Sequence, residues 1–168
     1  DKFDDNIIYW QYQGGNIMRK TLDTRETKEI KPFAKEGETE LRFHWNTPVV
    51  FSPTIDAMYV GAQYLYRTTT KGDVWERISP DLTTNNPEKL KQLETGGVAI
   101  DNSTAENHCT IYTINESALD PDVIWVGTDD GNLQITKDGG KSWTNVAANV
   151  LGLHAGTWVS YVYPSRFD

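Results

Sequence analysis

The feature that most constrains this chain is a unit it contains twice. Met58-Tyr59-Val60-Gly61 leads into Tyr64-Leu65-Tyr66-Arg67-Thr68, then a turn, then Trp75. Ile124-Trp125-Val126-Gly127 leads into Asn132-Leu133-Gln134-Ile135-Thr136, then a turn, then Trp143. The two tryptophans stand roughly 68 residues apart, and setting aside a polar excursion of roughly 25 residues leaves a period of about 43, the length of a four-stranded repeat unit. The segment ahead of each unit repeats as well: 49–56 (VVFSPTID), 113–120 (TINESALD) and 161–168 (YVYPSRFD) each run strand, Ser, Asp. A sheet of this size cannot bury both faces by itself, so successive units must stack on one another.

The rest of the chain fits the same pattern. β-rich runs occupy 6–13, 16–22, 27–32, 41–51, 58–62, 64–68, 74–79, 110–115, 123–127, 133–136, 142–147 and 157–163. Turn signals separate them, among them Gly14-Gly15, Lys71-Gly72, Asp129-Asp130-Gly131-Asn132 and Asp138-Gly139-Gly140. One stretch reads as helix: Asn86 caps, Pro87 suits the first helical position, and 88–94 runs until Gly96-Gly97 stops it. The expected fold is all-β, a partial propeller of about three four-stranded antiparallel blades with one short helical insertion. Its expected divisions are an incomplete blade at 1–40, a blade at 41–82, the insertion at 83–107, a blade at 108–150 and the first strand of a further blade at 157–168. That tally leads to the expectation of a piece of a larger propeller, or of copies that associate to close a ring.

Composition narrows the partners. The net charge is −8, from 24 acidic and 16 basic residues, which repels phosphate backbones and anionic lipid surfaces. Nucleic acid is therefore not expected, and no apolar run is long enough for a helical membrane span. The one cysteine, Cys109, excludes an intrachain disulfide and reads as a small buried side chain within a β-type run. Alternation along such a run would send His108 and Cys109 to opposite faces, which disfavours a catalytic pair. His44, His108 and His154 are scattered, so no metal site and no cofactor is expected. Asp129-Asp130-Gly131-Asn132 reads first as a hairpin turn rather than a cation site.

The turn before Trp143 reads Thr136-Lys137-Asp138-Gly139-Gly140-Lys141-Ser142-Trp143. Its chemistry dictates its spacing. A carboxylate at Asp138 can accept the backbone N–H groups that close the bend. Gly140 can take a positive φ that other residues resist, and Trp143 can fold back between neighbouring sheets. The earlier copy keeps Thr68, Gly72 and Trp75 but places Thr70 where the aspartate stands.

These turns match the pattern S/T-x-D-x-G-x-S/T-W, one copy intact and one degenerate, and the units resemble Asp-box (BNR-repeat) propellers of the sialidase, xyloglucanase and sortilin type. They are particularly similar to large secreted bacterial proteins labelled glycosyl hydrolase or sortilin-like repeat proteins. The likeness is carried by Trp45-Asn46-Thr47-Pro48, by 67–75 followed by Ile78-Ser79-Pro80-Asp81-Leu82-Thr83, and by 116–143. It covers most of 41–168, with 1–40 matching only as generic blade strands. The resemblance implies a secreted or periplasmic location and a carbohydrate or peptide ligand. It also implies that Thr136, Asp138, Gly140, Ser142 and Trp143, with Thr68, Gly72 and Trp75, are structural.

Two kinds of site follow. Glycoside hydrolysis of the xyloglucanase type needs two carboxylates flanking the scissile bond. Glu116 is the best single candidate, with Asp101, Glu106 and Asp122 behind it; the plainer alternative is a carboxylate capping a strand end in solvent. A sialidase would need an arginine cluster, and the chain has neither that nor the Arg-Ile-Pro motif. His44, Trp45 and Trp158 fall in inner-strand runs and are candidates for a sugar or peptide platform, with core packing as the alternative. The leading expectation is a scaffold or ligand-binding segment. A hydrolase sharing its acids with further blades and a sortilin-like peptide receptor stand behind it.

Overall fold

A computed structural model describes residues 1–91 and 107–167. Three antiparallel sheets follow one another along the chain. The first contains β1 (Ile7–Tyr12), β2 (Asn16–Thr21) and β3 (Thr27–Glu29). The second contains β4 (Val49–Phe51), β5 (Met58–Gly61), β6 (Leu65–Thr68) and β7 (Glu76–Arg77). The third contains β8 (Ile111–Glu116), β9 (Ile124–Thr128), β10 (Leu133–Thr136) and β11 (Thr144–Asn145). Each sheet is a plain meander in which strands pair in chain order. The architecture is an all-β partial propeller.

The registers make the repeat explicit. Tyr9 pairs with Arg19, Tyr59 with Arg67 and Trp125 with Ile135, at equivalent places in the three sheets. Beyond the last strand of each, Ile30 donates its N–H to Ile17, Ile78 to Leu65, and Val146 to Leu133. The first sheet thus matches, in register, the last three strands of the second and third.

Two apolar layers bind the sheets together. Ile17, Ile30, Phe43, Met58, Val60 and Ala62 fill the space between the first and second. Tyr59, Leu65, Ile78, Ile111, Ile114, Ile124 and Val126 take part in the layer between second and third. Side chains alternate along a strand, so Tyr59 serves one layer while Met58 and Val60 serve the other. Burial on both faces explains why β5 reads as an unbroken apolar run.

The turns before the two tryptophans have nearly the same wiring. Thr136 Oγ1 accepts the Gly140 N–H at 3.0 Å, and Thr68 Oγ1 accepts the Gly72 N–H at 3.1 Å. Asp138 Oδ1 accepts the Ser142 N–H at 2.9 Å; Thr70 Oγ1 does the same for the Val74 N–H at 2.8 Å. A threonine hydroxyl thus replaces one carboxylate oxygen. The second oxygen of Asp138 accepts the Ser142 hydroxyl at 2.6 Å. Gly72 and Gly140 have φ of +90° and +100°, the left-handed region.

Three segments differ from the expected run of elements. Of the helix expected at 88–94, the described residues 88–91 form no helix but two successive turns, Lys89 N–H to Asn86 and Leu90 N–H to Pro87, and 92–94 lie outside the described residues. Cys109 has φ +58° and precedes β8, so strand alternation does not govern His108 and Cys109. Residues 157–163 form no regular strand, yet Val159 donates its N–H to Thr128 at 3.0 Å, as Ile111 does to Ala62 at 2.8 Å.

Candidate functional site

The segments that enter the innermost strands carry aromatic side chains, and three of these meet. His44 lies 5.0 Å from Tyr112 and 5.5 Å from Trp158, centroid to centroid, and Tyr112 lies 4.9 Å from Trp158. All three contacts are edge-to-face, the arrangement that ring quadrupoles favour. His44 precedes β4, Tyr112 sits in β8, and Trp158 precedes Val159. The cluster therefore joins the inner ends of consecutive repeats.

His44 and Trp158 are brought together from the sequence expectation; Tyr112 is an addition. The ladder between β8 and β9 shifts between Ile111 and Thr113, leaving Tyr112 as the extra residue of a bulge. A bulge re-aims a side chain, and no periodic pattern announces it. Trp45 is 44% exposed and takes no part in these ring contacts. Trp158 is 48% exposed.

His44 is the fixed member. It is buried, and its Nδ1 accepts the Asn46 N–H at 3.0 Å, which leaves the other ring proton on Nε2. Burial pushes its pKa below the ordinary imidazole value, with the nearby Asp129 charge opposing. The ring is therefore neutral at pH 7. The cluster thus brings a neutral imidazole and a phenol edge-to-face with a half-exposed indole.

Beside the platform lie buried carboxylates held by hydroxyl and amide donors. Asp129 accepts the Thr110 N–H at 2.9 Å and its hydroxyl at 2.7 Å, with His108 Nδ1 3.4 Å away. Asp130 accepts from Thr84 N–H, Thr84 Oγ1 and Thr128 Oγ1. Burial raises the Asp130 pKa, but these donors outweigh it and hold the value low. Both acids fasten the β9–β10 turn to its neighbours. Cys109 is buried beside Thr84, and burial pushes its thiol up to about 11, so it stays protonated at neutral pH. Among the described residues, no group of three or more His, Cys, Asp or Glu is placed to hold a metal ion.

Glu116 is only 2% exposed and lies between the second and third sheets. One carboxylate oxygen accepts Ser52 Oγ at 2.8 Å and Thr54 Oγ1 at 2.5 Å; the other accepts Tyr59 OH at 2.7 Å. Burial is the main cause of the raised Tyr59 pKa, and the Glu116 hydrogen bond adds to it, so the phenol remains a donor. In this geometry both oxygens are engaged and turned into the inter-sheet layer. Asp122 sits elsewhere, its carboxylate beside Gly139 in the turn before Trp143. Asp101 and Glu106 lie outside the described residues.

No protein-family model and no curated protein sequence matches the chain. Among solved structures, it is similar to the GH74 xyloglucanase from Xanthomonas campestris, with a TM-score of 0.54 and 18% identity over 96% of this chain and 24% of the xyloglucanase. A GH74 enzyme from Niastella koreensis gives a TM-score of 0.43 and 17% identity over 87% of this chain and 21% of that one. The chain thus spans about a quarter of the length of the xyloglucanase it resembles in fold. Among the described residues, no helix is long and apolar enough to cross a membrane.

Proposed function

We propose that this chain is a scaffold and ligand-binding segment of a secreted Asp-box propeller, taking carbohydrate on the platform of His44, Tyr112 and Trp158. The observation that carries this reading is the convergence of those three rings at the inner ends of successive repeats, with Trp158 half exposed. Xyloglucan oligosaccharides titrated into the chain, followed by tryptophan fluorescence and calorimetry, test it. Saturable binding that Trp158→Ala abolishes supports the reading. Binding that Trp158→Ala leaves intact, or none to these or to β-glucan oligosaccharides, overturns it. An aromatic peptide that competes for the same platform would move the ligand class toward a sortilin-like receptor.

A second reading is a part of a glycoside hydrolase whose acids are shared with further blades, and the xyloglucanase-like fold favours it. The geometry of Glu116 favours a clamp over an acid that meets substrate, because three hydroxyl donors already engage it. Turnover of xyloglucan that disappears in Glu116→Gln while binding persists would favour the hydrolase and displace the scaffold reading.

A further inference from the structure

The two junctions between sheets share an apolar layer and differ at the outer rim. By strand register, Tyr66 in the second sheet corresponds to Gln134 in the third. Gln134 donates its side-chain N–H to the Leu82 carbonyl oxygen at 3.1 Å, and Asn132 donates to the same oxygen at 2.8 Å. Leu82 is buried in the apolar layer, so the segment that follows the second sheet folds into that junction. The segment that follows the first sheet leads away, with Phe33 exposed. It leaves a hollow of about 740 Å3 between the first and second sheets, walled by residues within 28–38 on one side and by Tyr66 and 72–77 on the other.

Tyr66 lines this hollow and is only 5% exposed, yet among the described residues its hydroxyl has no hydrogen-bond partner. A buried hydroxyl left unpaired costs stability, so its presence asks for a reason. Burial is the main cause of a raised Tyr66 pKa, with Arg77 opposing, and the hydroxyl therefore keeps its proton. Gln134, at the corresponding place in the third sheet, finds its acceptor in the protein; Tyr66 does not.

The rest of the lining decides what pairs with it. Asp73 is already engaged by Lys28 at 2.6 Å and Arg19 at 3.2 Å, Glu38 by Arg77 at 3.1 Å, and Glu76 by Arg67 at 2.8 Å. Lys31 donates to the Gly14 carbonyl oxygen at 2.7 Å and lies over the Phe43 ring, with no carboxylate bonded to it. Burial lowers its pKa, with Glu29 opposing, which marks an ammonium that has lost water without gaining a bonded anion. Lys35 forms no ion pair either. The uncommitted groups of the hollow are thus the donors Tyr66, Lys31 and Lys35, with the carboxylate of Glu29 alone against them.

We infer that this hollow is a second binding site, separate from the platform, for an oligosaccharide that carries uronic acid. A carboxylate offers acceptors only, the complement of a phenol and two lysines. The paired charges Lys28–Asp73 and Arg77–Glu38 hold donors and acceptors in place for sugar hydroxyls. Phe33 and Val74, 70% and 65% exposed, offer apolar surface to a ring face. The volume accommodates a short oligosaccharide. None of the three rings of the platform lines the hollow, so the two sites stand or fall separately.

Calorimetric titration with trigalacturonate tests the assignment. Wild type should bind it with an affinity that falls as salt rises, and should bind the fully methyl-esterified trimer about tenfold more weakly, because the ester has no charge. Tyr66→Phe should be at least as stable as wild type in urea, since it deletes a hydroxyl with no partner, and yet bind trigalacturonate about tenfold more weakly. A merely structural tyrosine would not separate the two readouts. Circular dichroism establishes folding; if Tyr66→Phe is unfolded, Lys31→Gln takes its place, with the same loss of affinity expected. Trp158→Ala should bind trigalacturonate as wild type does. A wild type that does not bind, equal affinity for the ester, or unchanged affinity in the folded variant overturns the proposal. Loss of binding in Trp158→Ala overturns it as well and moves the uronate to the platform. A peptide with an aromatic residue at its free C-terminus that binds this hollow more tightly than trigalacturonate would replace the sugar with a peptide carboxylate.

Discussion

Trp143 reaches from the third sheet back to the second and donates its Nε1 hydrogen to the carbonyl oxygen of Ile78, 3.0 Å away. Trp75 does the same to Ile30 at 2.6 Å, one sheet earlier. Each indole thus satisfies a carbonyl just beyond the outermost strand of the preceding sheet while packing on its apolar layer. The glycine of the same turn permits the approach: a Cβ on Gly140 would sit 2.5 Å from the Ile78 oxygen.

Gly140→Ala should accordingly be among the most damaging single-methyl additions. It combines a φ of +100° with a clash against backbone, which cannot move aside as a side chain can. A loss of about 3 kcal/mol is expected in urea denaturation. Trp143→Phe, which keeps the ring but removes the N–H, should lose about 1.5 kcal/mol. If both variants matched wild type, the turn would not be stapling the sheets.

The degenerate turn offers a gain. Thr70 supplies one acceptor where Asp138 supplies two, and Val74 stands where Ser142 donates its hydroxyl. Thr70→Asp with Val74→Ser should restore the missing hydrogen bond on an exposed surface. The expected stabilisation is about 1 kcal/mol, read as a higher denaturation midpoint at unchanged slope.

Much of the fold was legible because the repeat is written in residues with a narrow structural meaning. A glycine forced to positive φ and a tryptophan seven positions after a threonine tie sequence to geometry even where Thr70 replaces the aspartate. The platform was half legible. His44 and Trp158 stand out as aromatic residues in inner-strand runs, but Tyr112 joins them through a bulge, a register slip set by packing rather than composition. Glu116 looked like a candidate acid because the sequence shows a carboxylate at a strand end. Its three donors come from Tyr59 in β5 and from Ser52 and Thr54 in the β4–β5 connection, which sequence proximity does not reveal.

Glu116→Ala should therefore lower stability whether or not any ligand binds. Removing the carboxylate takes the acceptor away from the buried Ser52 and Tyr59 hydroxyls and from the exposed Thr54 hydroxyl. The expected loss is about 3 kcal/mol. Glu116→Gln keeps the shape and one acceptor oxygen, so it should lose less. Thermal and urea unfolding of the two variants check the order; an alanine variant as stable as wild type would remove the clamp.

Acid should loosen the two turns differently. The Ser142 hydroxyl is the main cause of a low Asp138 pKa, about 2 against an ordinary 3.8, helped by the Ser142 N–H and the Thr136 hydroxyl. A carboxylate whose folded pKa lies below its unfolded one stabilises the fold fully above the unfolded value, and that contribution fades as pH falls through the folded value. The stabilisation from Asp138 is thus complete above about pH 4 and largely gone near pH 2. Asp4, Asp73 and Asp130 also sit below their ordinary value, so the whole protein weakens in acid. Comparison with Asp138→Asn isolates the turn, because the other carboxylates are common to both proteins. The gap in urea midpoint between wild type and Asp138→Asn should be widest near neutrality and narrow steadily below pH 4. Thr70 carries no ionisable group, so Thr70→Ala should show a gap that does not change with pH. Parallel curves for Asp138→Asn would mean that its carboxylate has the same proton affinity folded and unfolded, and that the hydrogen bonds to Ser142 are not maintained in solution.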